Sequence, residues 1–305
     1  MNAVQITGVT KCFGDHVAVE NLALAVPRGS IYGFIGPNGS GKTTTLRMIM
    51  NILQPDTGSI EVLGESLRGA CSARVGYLPE ERGLYRKMKV REVLRFYGEL
   101  KAGRRVNREV DEWLERFGLL DRANEKVETL SKGMSQKAQF IATVVASPEL
   151  VILDEPFSGL DPVNANLITK AVLDLRKAGA TVILSTHDMG TAERMCDFIF
   201  MIHRGRKVLD GTLEDIQARY GQDTVRTQIE PAGAGLEELP GVTQITDFGH
   251  LRELRLQPDA DPQRVLEALM QRGQVRHFAV IRPSLHDIFV RIAGDGESIP
   301  EGGTE

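Results

Sequence analysis

The 305-residue chain is 42% apolar and 26% charged with a formal net charge of −4, a balance that suits a soluble globular protein with room for one α/β domain and a smaller appendage. So mild an acidity supplies no global basic field to draw nucleic acid, although a mildly acidic chain can still carry a local basic patch; no nucleic-acid partner is expected. The three cysteines, Cys12, Cys71 and Cys196, have no metal-ligand spacing, and neither a secretory leader nor 18 consecutive apolar residues can be read, so a chain of the reducing cytosol is expected, and any membrane role would have to come through a partner.

Alternating apolar stretches over residues 4–9 and 17–26, then 31–35 and 59–63, separated by Gly, Pro and Asp, predict strands of a mixed sheet. Between the third and fourth lies Gly36-Pro37-Asn38-Gly39-Ser40-Gly41-Lys42-Thr43, followed by Thr44 and a helical stretch to residue 52. This is GxxxxGK[ST] in a strand–loop–helix context. Glycines let successive backbone N–H groups curl into an anion nest, and the helix adds its positive dipole end, so residues 36–44 are candidates for holding a nucleotide's phosphates. Lys42 would neutralise the β and γ oxygens, and the Thr43 hydroxyl would serve Mg²⁺, a hard cation that prefers oxygen.

From 91 to 120 the pattern turns helical, with Val93, Leu94, Phe96, Tyr97 and Leu100, then Val110, Trp113, Leu114 and Phe117 as apolar positions. Continuous apolar runs at 150–153 and 181–184 predict parallel strands covered on both faces. The helix joining them has Asp161 as cap, Pro162 in its first position, a buried face of Ile168, Val172 and Leu175, and Gly179 at its end, completing a right-handed β-α-β unit. Asp154 and Glu155 close the first run at the strand end where open α/β sheets hold ligands. Asp154 suits Mg²⁺, and Glu155 suits orienting and deprotonating an attacking water. A plain acidic turn before Pro156 is the alternative.

Beyond Gly211 the character shifts. A larger first domain over 1–219, with a helical subdomain at about 80–148, is expected to give way to a small α+β domain over 220–293, with strand-like pieces around Thr227, Thr243 and 251–256 and a helix near 262–271. The Gly- and Glu-rich residues 294–305 are predicted to form a disordered tail.

Taken in order over about residues 2–220, these motifs resemble the ATP-binding subunits of ATP-binding-cassette (ABC) transporters. Leu130-Ser131-Lys132-Gly133-Met134 is similar to the family's LSGGQ signature, with Lys132 and Met134 departing from it. The resemblance implies that Ser131, Lys132, Gly133 and Met134 face ATP held by a second subunit, in a head-to-tail homodimer or heterodimer. Ser131 also precedes a helical pattern with Met134, Ala138, Ile141, Ala142 and Val145 on its apolar face, so it equally reads as an N-cap.

Ser158-Gly159-Leu160-Asp161 resembles the family's D-loop, His187 its γ-phosphate-contacting switch histidine, and Phe13 the aromatic that stacks on adenine. A helix cap, a structural histidine and an edge aromatic are the respective alternatives. Tyr77-Leu78-Pro79-Glu80 takes the place of the Q-loop, with Glu80 where glutamine is common; a carboxylate can ligate Mg²⁺ but adds negative charge beside a triphosphate.

Residues 80–85 and 283–289 resemble the subgroup that works with ABC-2-type permeases, often exporters. The implied fold is α/β: a P-loop NTPase (ABC ATPase) core with an antiparallel β subdomain and a helical subdomain, plus the small C-terminal α+β domain. The implied function is an ATPase, with ATP and Mg²⁺, that powers a separate integral membrane permease from the cytoplasmic face of the cell membrane. From 82 to 108 there are ten Lys/Arg and two acids, Glu92 and Glu99, a candidate permease-docking face or simply a solvated basic one. A soluble ABC-type ATPase regulating a non-transport complex is the alternative function, and the absence of Asn-Lys-x-Asp argues against a GTPase switch.

Overall fold

Strand β1 (Asn2–Phe13) and strand β2 (His16–Pro27) carry the alternation read from the sequence, burying Val4, Ile6 and Val9 on one and Leu22, Leu24 and Val26 on the other. They pair antiparallel as a hairpin that ends at Phe13 opposite His16. The computed structural model describes residues 1–66, 73–81, 83–220, 224–230, 235–249, 251–257 and 259–294. Cys71, Arg82 and the expected tail from 295 onward lie outside the described residues.

After β3 (Ile31–Ile35) and α1 (Lys42–Ile49) come β4 (Thr57–Val62) and the short β5 (Glu65–Ser66), which complete a four-stranded antiparallel sheet in the order β2-β1-β4-β5. Strand β3 belongs instead to a six-stranded sheet with β6 (Val75–Leu78), β7 (Leu150–Asp154), β8 (Thr181–Thr186), β9 (Phe198–His203) and β10 (Arg206–Gly211), ordered β10-β9-β3-β8-β7-β6. Its strands run parallel except β10, which turns back antiparallel on β9. Every residue of β3, β7 and β8 is buried, as the unbroken apolar runs require when both faces of a parallel sheet are covered.

Two apolar clusters cover the faces. Ile31, Val151, Leu153, Val182 and Leu184 face one shared with the helices, while Tyr32, Phe34, Ile152 and Ile183 face one shared with α1 and the antiparallel sheet. The helical insert contains two helices where the apolar pattern ran on: α2 (Val90–Ala102) stops at Gly103, whose φ of +63° ends the helix, and α3 (Asn107–Arg116) starts afresh. Helix α4 (Lys132–Val144) packs on both, and α5 (Pro162–Lys177) and α6 (Met189–Met195) complete a unit over residues 1–212. Asp161 caps α5 with Pro162 at its start, as read from the sequence.

The second unit starts at Leu213. It comprises α7 (Leu213–Arg219), β11 (Thr224–Glu230), β12 (Val242–Asp247), β13 (Arg252–Leu256), α8 (Pro262–Arg272), β14 (Gln274–Ile281) and α9 (Leu285–Gly294). Its four strands form an antiparallel sheet ordered β12-β13-β11-β14, with α8 set on it through Val265 and Leu269. Strand β14 and helices α7 and α9 were not anticipated: β14 mixes exposed and partly buried residues and shows no clean two-residue period.

Candidate functional site

The loop between β3 and α1 is held by close backbone approach. Gly36 has φ +152°, and a Cβ there would stand 2.2 Å from the Ile202 carbonyl oxygen; Gly41 has φ +105°, with the Ala18 carbonyl oxygen 2.6 Å from the corresponding point. Both positions therefore exclude a side chain, for reasons of conformation and space together. Ser40 pins the loop from within: its N–H donates to the Pro37 carbonyl at 3.2 Å and its carbonyl accepts from Gly205 N at 2.9 Å. No side chain caps α1, so the N–H groups of its first turn are left for an external acceptor. Lys42 Nζ donates to the Gly36 and Pro37 carbonyls at 2.7 and 3.1 Å. Burial holds its ammonium below the ordinary lysine range, against the opposing pull of Glu155, Asp154 and Glu80.

The end of β7 delivers the acids to the same place, and β8 brings His187 beside them. Thr43 Oγ1 donates to Asp154 Oδ2 at 3.1 Å, while the other Asp154 oxygen, Oδ1, is buried with no hydrogen-bond partner among the described residues. Glu155 leaves the strand with φ +49°, and its N–H donates to the Ser185 carbonyl of β8 at 3.0 Å. His187 follows β8 and sets Nδ1 2.8 Å from Glu155 Oε1.

These groups line one cavity of about 340 Å³, walled by Asn38, Gly39, Gly41, Lys42, Thr43, Thr44, Glu80, Asp154 and Glu155 from the core and by Phe13, His16 and Ala18 from the β1–β2 hairpin. Gly36, Pro37 and Ser40 shape the loop from behind this wall. The Phe13 ring is 48% exposed at the rim, with Lys11 Nζ 5.7 Å from its centroid. His16 and Ala18 escaped the sequence reading. The signal was there for His16, which a two-residue turn at Gly14-Asp15 places opposite Phe13.

The signature-like segment does not line this cavity. Ser131 caps α4, its Oγ accepting from Met134 N at 3.3 Å. Lys132 lies over Gly159, where a Cβ would come within 2.6 Å of its Nζ, and the nearest atom to a Cβ on Gly133 would be Asn164 Nδ2 at 3.5 Å. Helix α4 is tied to the segment after Glu155 by Gln136 Nε2, which donates to the Pro156 carbonyl at 3.3 Å. Asp161 acts as a cap, accepting from Val163 N and Asn164 N at 3.0 Å each, and these bonds, chiefly that from Asn164, hold its carboxyl below the usual range.

The donor set fits Mg²⁺. A threonine hydroxyl, a buried carboxylate oxygen without a partner and the Glu80 carboxylate are all hard oxygen donors. Among the described residues no three His, Cys, Asp or Glu form a metal cage.

The ABC transporter family profile matches residues 19–158, and the profile described as the C-terminal domain of DrrA1-3-like ATP-binding proteins matches 211–293. YhaQ of Bacillus subtilis (strain 168), described as an uncharacterized ABC transporter ATP-binding protein, is 41% identical over 95% of this chain and 98% of its own length. The daunorubicin resistance ATP-binding protein DrrA3 of Streptomyces coeruleorubidus is 33% identical, covering 98% of each chain. Among solved structures, an ATP-binding subunit of an ABC transporter superposes with a TM-score of 0.68 at 31% identity, over 72% of this chain and 93% of that one.

Proposed function

Because the chain belongs to the ATP-binding subunits of ABC transporters, it binds and hydrolyses ATP, and we propose that it does so in the cavity between the β1–β2 hairpin and the ends of β3 and β7. The observation that carries this reading is the convergence of Lys42, Thr43, Asp154 and Glu155 on one space beside an uncapped helix start. Phe13 stacks on the adenine. The N–H groups of residues 36–44 and Lys42 grip the phosphates. Thr43, Asp154 and Glu80 would hold Mg²⁺, which would supply positive charge to offset that of the phosphates. Glu155 draws the proton from the attacking water, and His187, bonded to Glu155, orients that carboxylate and reaches the γ-phosphate.

In this reading Ser131, Lys132, Gly133 and Met134 serve ATP on a second subunit, of the same or a different sequence, and Asp161 lies along that interface. The position of this segment outside its own chain's cavity is in keeping with such an arrangement.

No described helix is long and apolar enough to cross a membrane, so transport needs a separate transmembrane subunit. We place its docking site on the groove of about 260 Å³ lined by Tyr77, Pro79, Gly83, Leu84, Tyr97 and Gln139. Tyr85 and Phe96, 55% and 43% exposed, form an aromatic cluster with Tyr97, in which Tyr85 stacks on Tyr97 and Phe96 meets both rings edge to face, beside a basic stretch that meets anionic lipid. The segment after Glu80 is bonded to the helices here: Gln139 Nε2 donates to the Glu81 carbonyl at 3.1 Å and Tyr97 OH to that of Gly83 at 3.2 Å. Movement of the groove therefore reaches Glu80. Supported by the DrrA-like C-terminal match, the partner is an ABC-2-type exporter permease, and the subunit sits on the cytoplasmic face of the cell membrane. The reading is tested by assaying Mg²⁺-dependent ATP hydrolysis and isolating the chain with an integral membrane protein in detergent. ATP hydrolysis by a chain that isolates with soluble partners alone would favour an ATPase that regulates a soluble complex.

A further inference from the structure

The charges around the nucleotide cavity do not balance. Its wall holds one ammonium, Lys42, and three carboxylates, Glu80, Asp154 and Glu155. Two of the acids are engaged, Asp154 by the Thr43 hydroxyl and Glu155 by His187. Glu80 is exposed and has no hydrogen bond or ion pair with any described residue. It also lines a neighbouring cavity of about 420 Å³ that shares Thr43 and Asp154, in which the cation, Arg47, hydrogen-bonds Tyr77. A neutral amide at residue 80 would leave two acids against one base. With glutamate there, an incoming polyphosphate meets one further unit of negative charge.

We propose that Glu80 couples nucleotide binding to the divalent cation, selecting metal-complexed ATP over free ATP. This rests on the cavity being the ATP site. An unpaired carboxylate repels a bare triphosphate, whereas toward a triphosphate carrying a divalent cation the same oxygens become donors to the cation. The sign of the Glu80 contribution thus reverses with the metal, and a neutral side chain cannot do this. The consequence is a subunit that stays empty when free ATP exceeds its metal complex, which makes loading respond to the cation as well as to the nucleotide.

The test is titration calorimetry of the full chain with adenosine 5′-(β,γ-imido)triphosphate, in excess Mg²⁺ and in EDTA. Glu80→Gln is expected to tighten binding in EDTA by roughly fivefold to tenfold, as for removal of one partly screened charge, and to weaken it in Mg²⁺. The ratio of the two affinities then collapses, while Glu80→Asp, which keeps the charge, retains most of it. The EDTA effect should shrink as salt is raised. Because Glu80 is exposed and has no hydrogen bond or ion pair among the described residues, the thermal unfolding of Glu80→Gln should match the parent, which guards against a folding artefact. An unchanged Mg²⁺-to-EDTA ratio in Glu80→Gln overturns the proposal. Absence of binding by the parent chain in both conditions, or undiminished binding by Lys42→Ala, would instead overturn the assignment of the cavity.

Discussion

Glu155 and His187 meet at 2.8 Å because the parallel strands that carry them are in register. Asp154 of β7 pairs with Ser185 of β8, so the residue just past one strand and the second residue past its neighbour's partner position emerge together at the sheet's carboxyl edge. The Glu155 N–H bond to the Ser185 carbonyl fixes the left-handed turn, φ +49°, that aims the carboxylate into the cavity. Leaving the strand in that conformation costs roughly 1–3 kcal/mol, offset by this bond and by burial of β7 on both sides.

Glu155→Gln keeps the size and a hydrogen bond to His187 but removes the basic oxygen. Hydrolysis should fall by about 10²–10⁴-fold while ATP affinity holds. Single-turnover kinetics set beside equilibrium titration checks this, and normal turnover would remove Glu155 from the mechanism.

At the rim, Phe13 is proposed to contribute through its ring alone. Phe13→Ala should weaken adenine nucleotides by about tenfold, within the range of ~1–3 kcal/mol for stacking one base on an aromatic ring. Affinity for inorganic tripolyphosphate should not change. A parallel loss of both ligands would mean that the side chain shapes the hairpin and does not read the base.

Two glycines of the phosphate loop separate strain from collision. Gly39, φ +76°, has open space where an added methyl would stand, whereas Gly36 would drive one into the Ile202 carbonyl at 2.2 Å. Gly39→Ala should therefore cost only the ~1–2 kcal/mol of a left-handed alanine. Gly36→Ala should cost more and displace the loop, abolishing ATP binding. Equal melting temperatures for the two variants would contradict this difference.

Asp188 caps α6, accepting from Thr191 N at 3.1 Å and from Thr191 Oγ1 at 2.6 Å. The hydroxyl bond holds its carboxyl below the ordinary value of 3.8, against the opposing effect of burial. A depressed folded value means that this stabilisation is complete above the ordinary carboxylate range and is lost as pH falls through the folded value. Asp188→Ala should cost about 1 kcal/mol at pH 7 and progressively less in strong acid, measured by urea unfolding. A pH-independent difference would show that the ionised carboxylate is not what stabilises the cap.

The chemistry-bearing residues were legible because each motif is local. Glycines 36, 39 and 41 announce a loop with positive φ, and at 36 and 41 there is no room for a side chain; Asp161-Pro162 announces a helix start, and the runs at 150–153 and 181–184 announce buried parallel strands. Strand β14 and helix α9 were missed for the opposite reason. The strand pairs with β11, about fifty residues earlier, and its mix of exposed and partly buried residues follows that pairing without any two-residue period of its own.

Local order along the chain thus marked the candidates for phosphate, metal and water, since a tight turn or helix cap depends on neighbours a few residues away. Which of them share a cavity was decided only by strand order. Inserting β8 between β3 and β7 sets Thr43 against Asp154, 111 residues apart, and folding the hairpin back over the loop brings Phe13 and His16 to the same rim. Such pairings come from burying apolar strands against one another, and no short stretch of sequence encodes them.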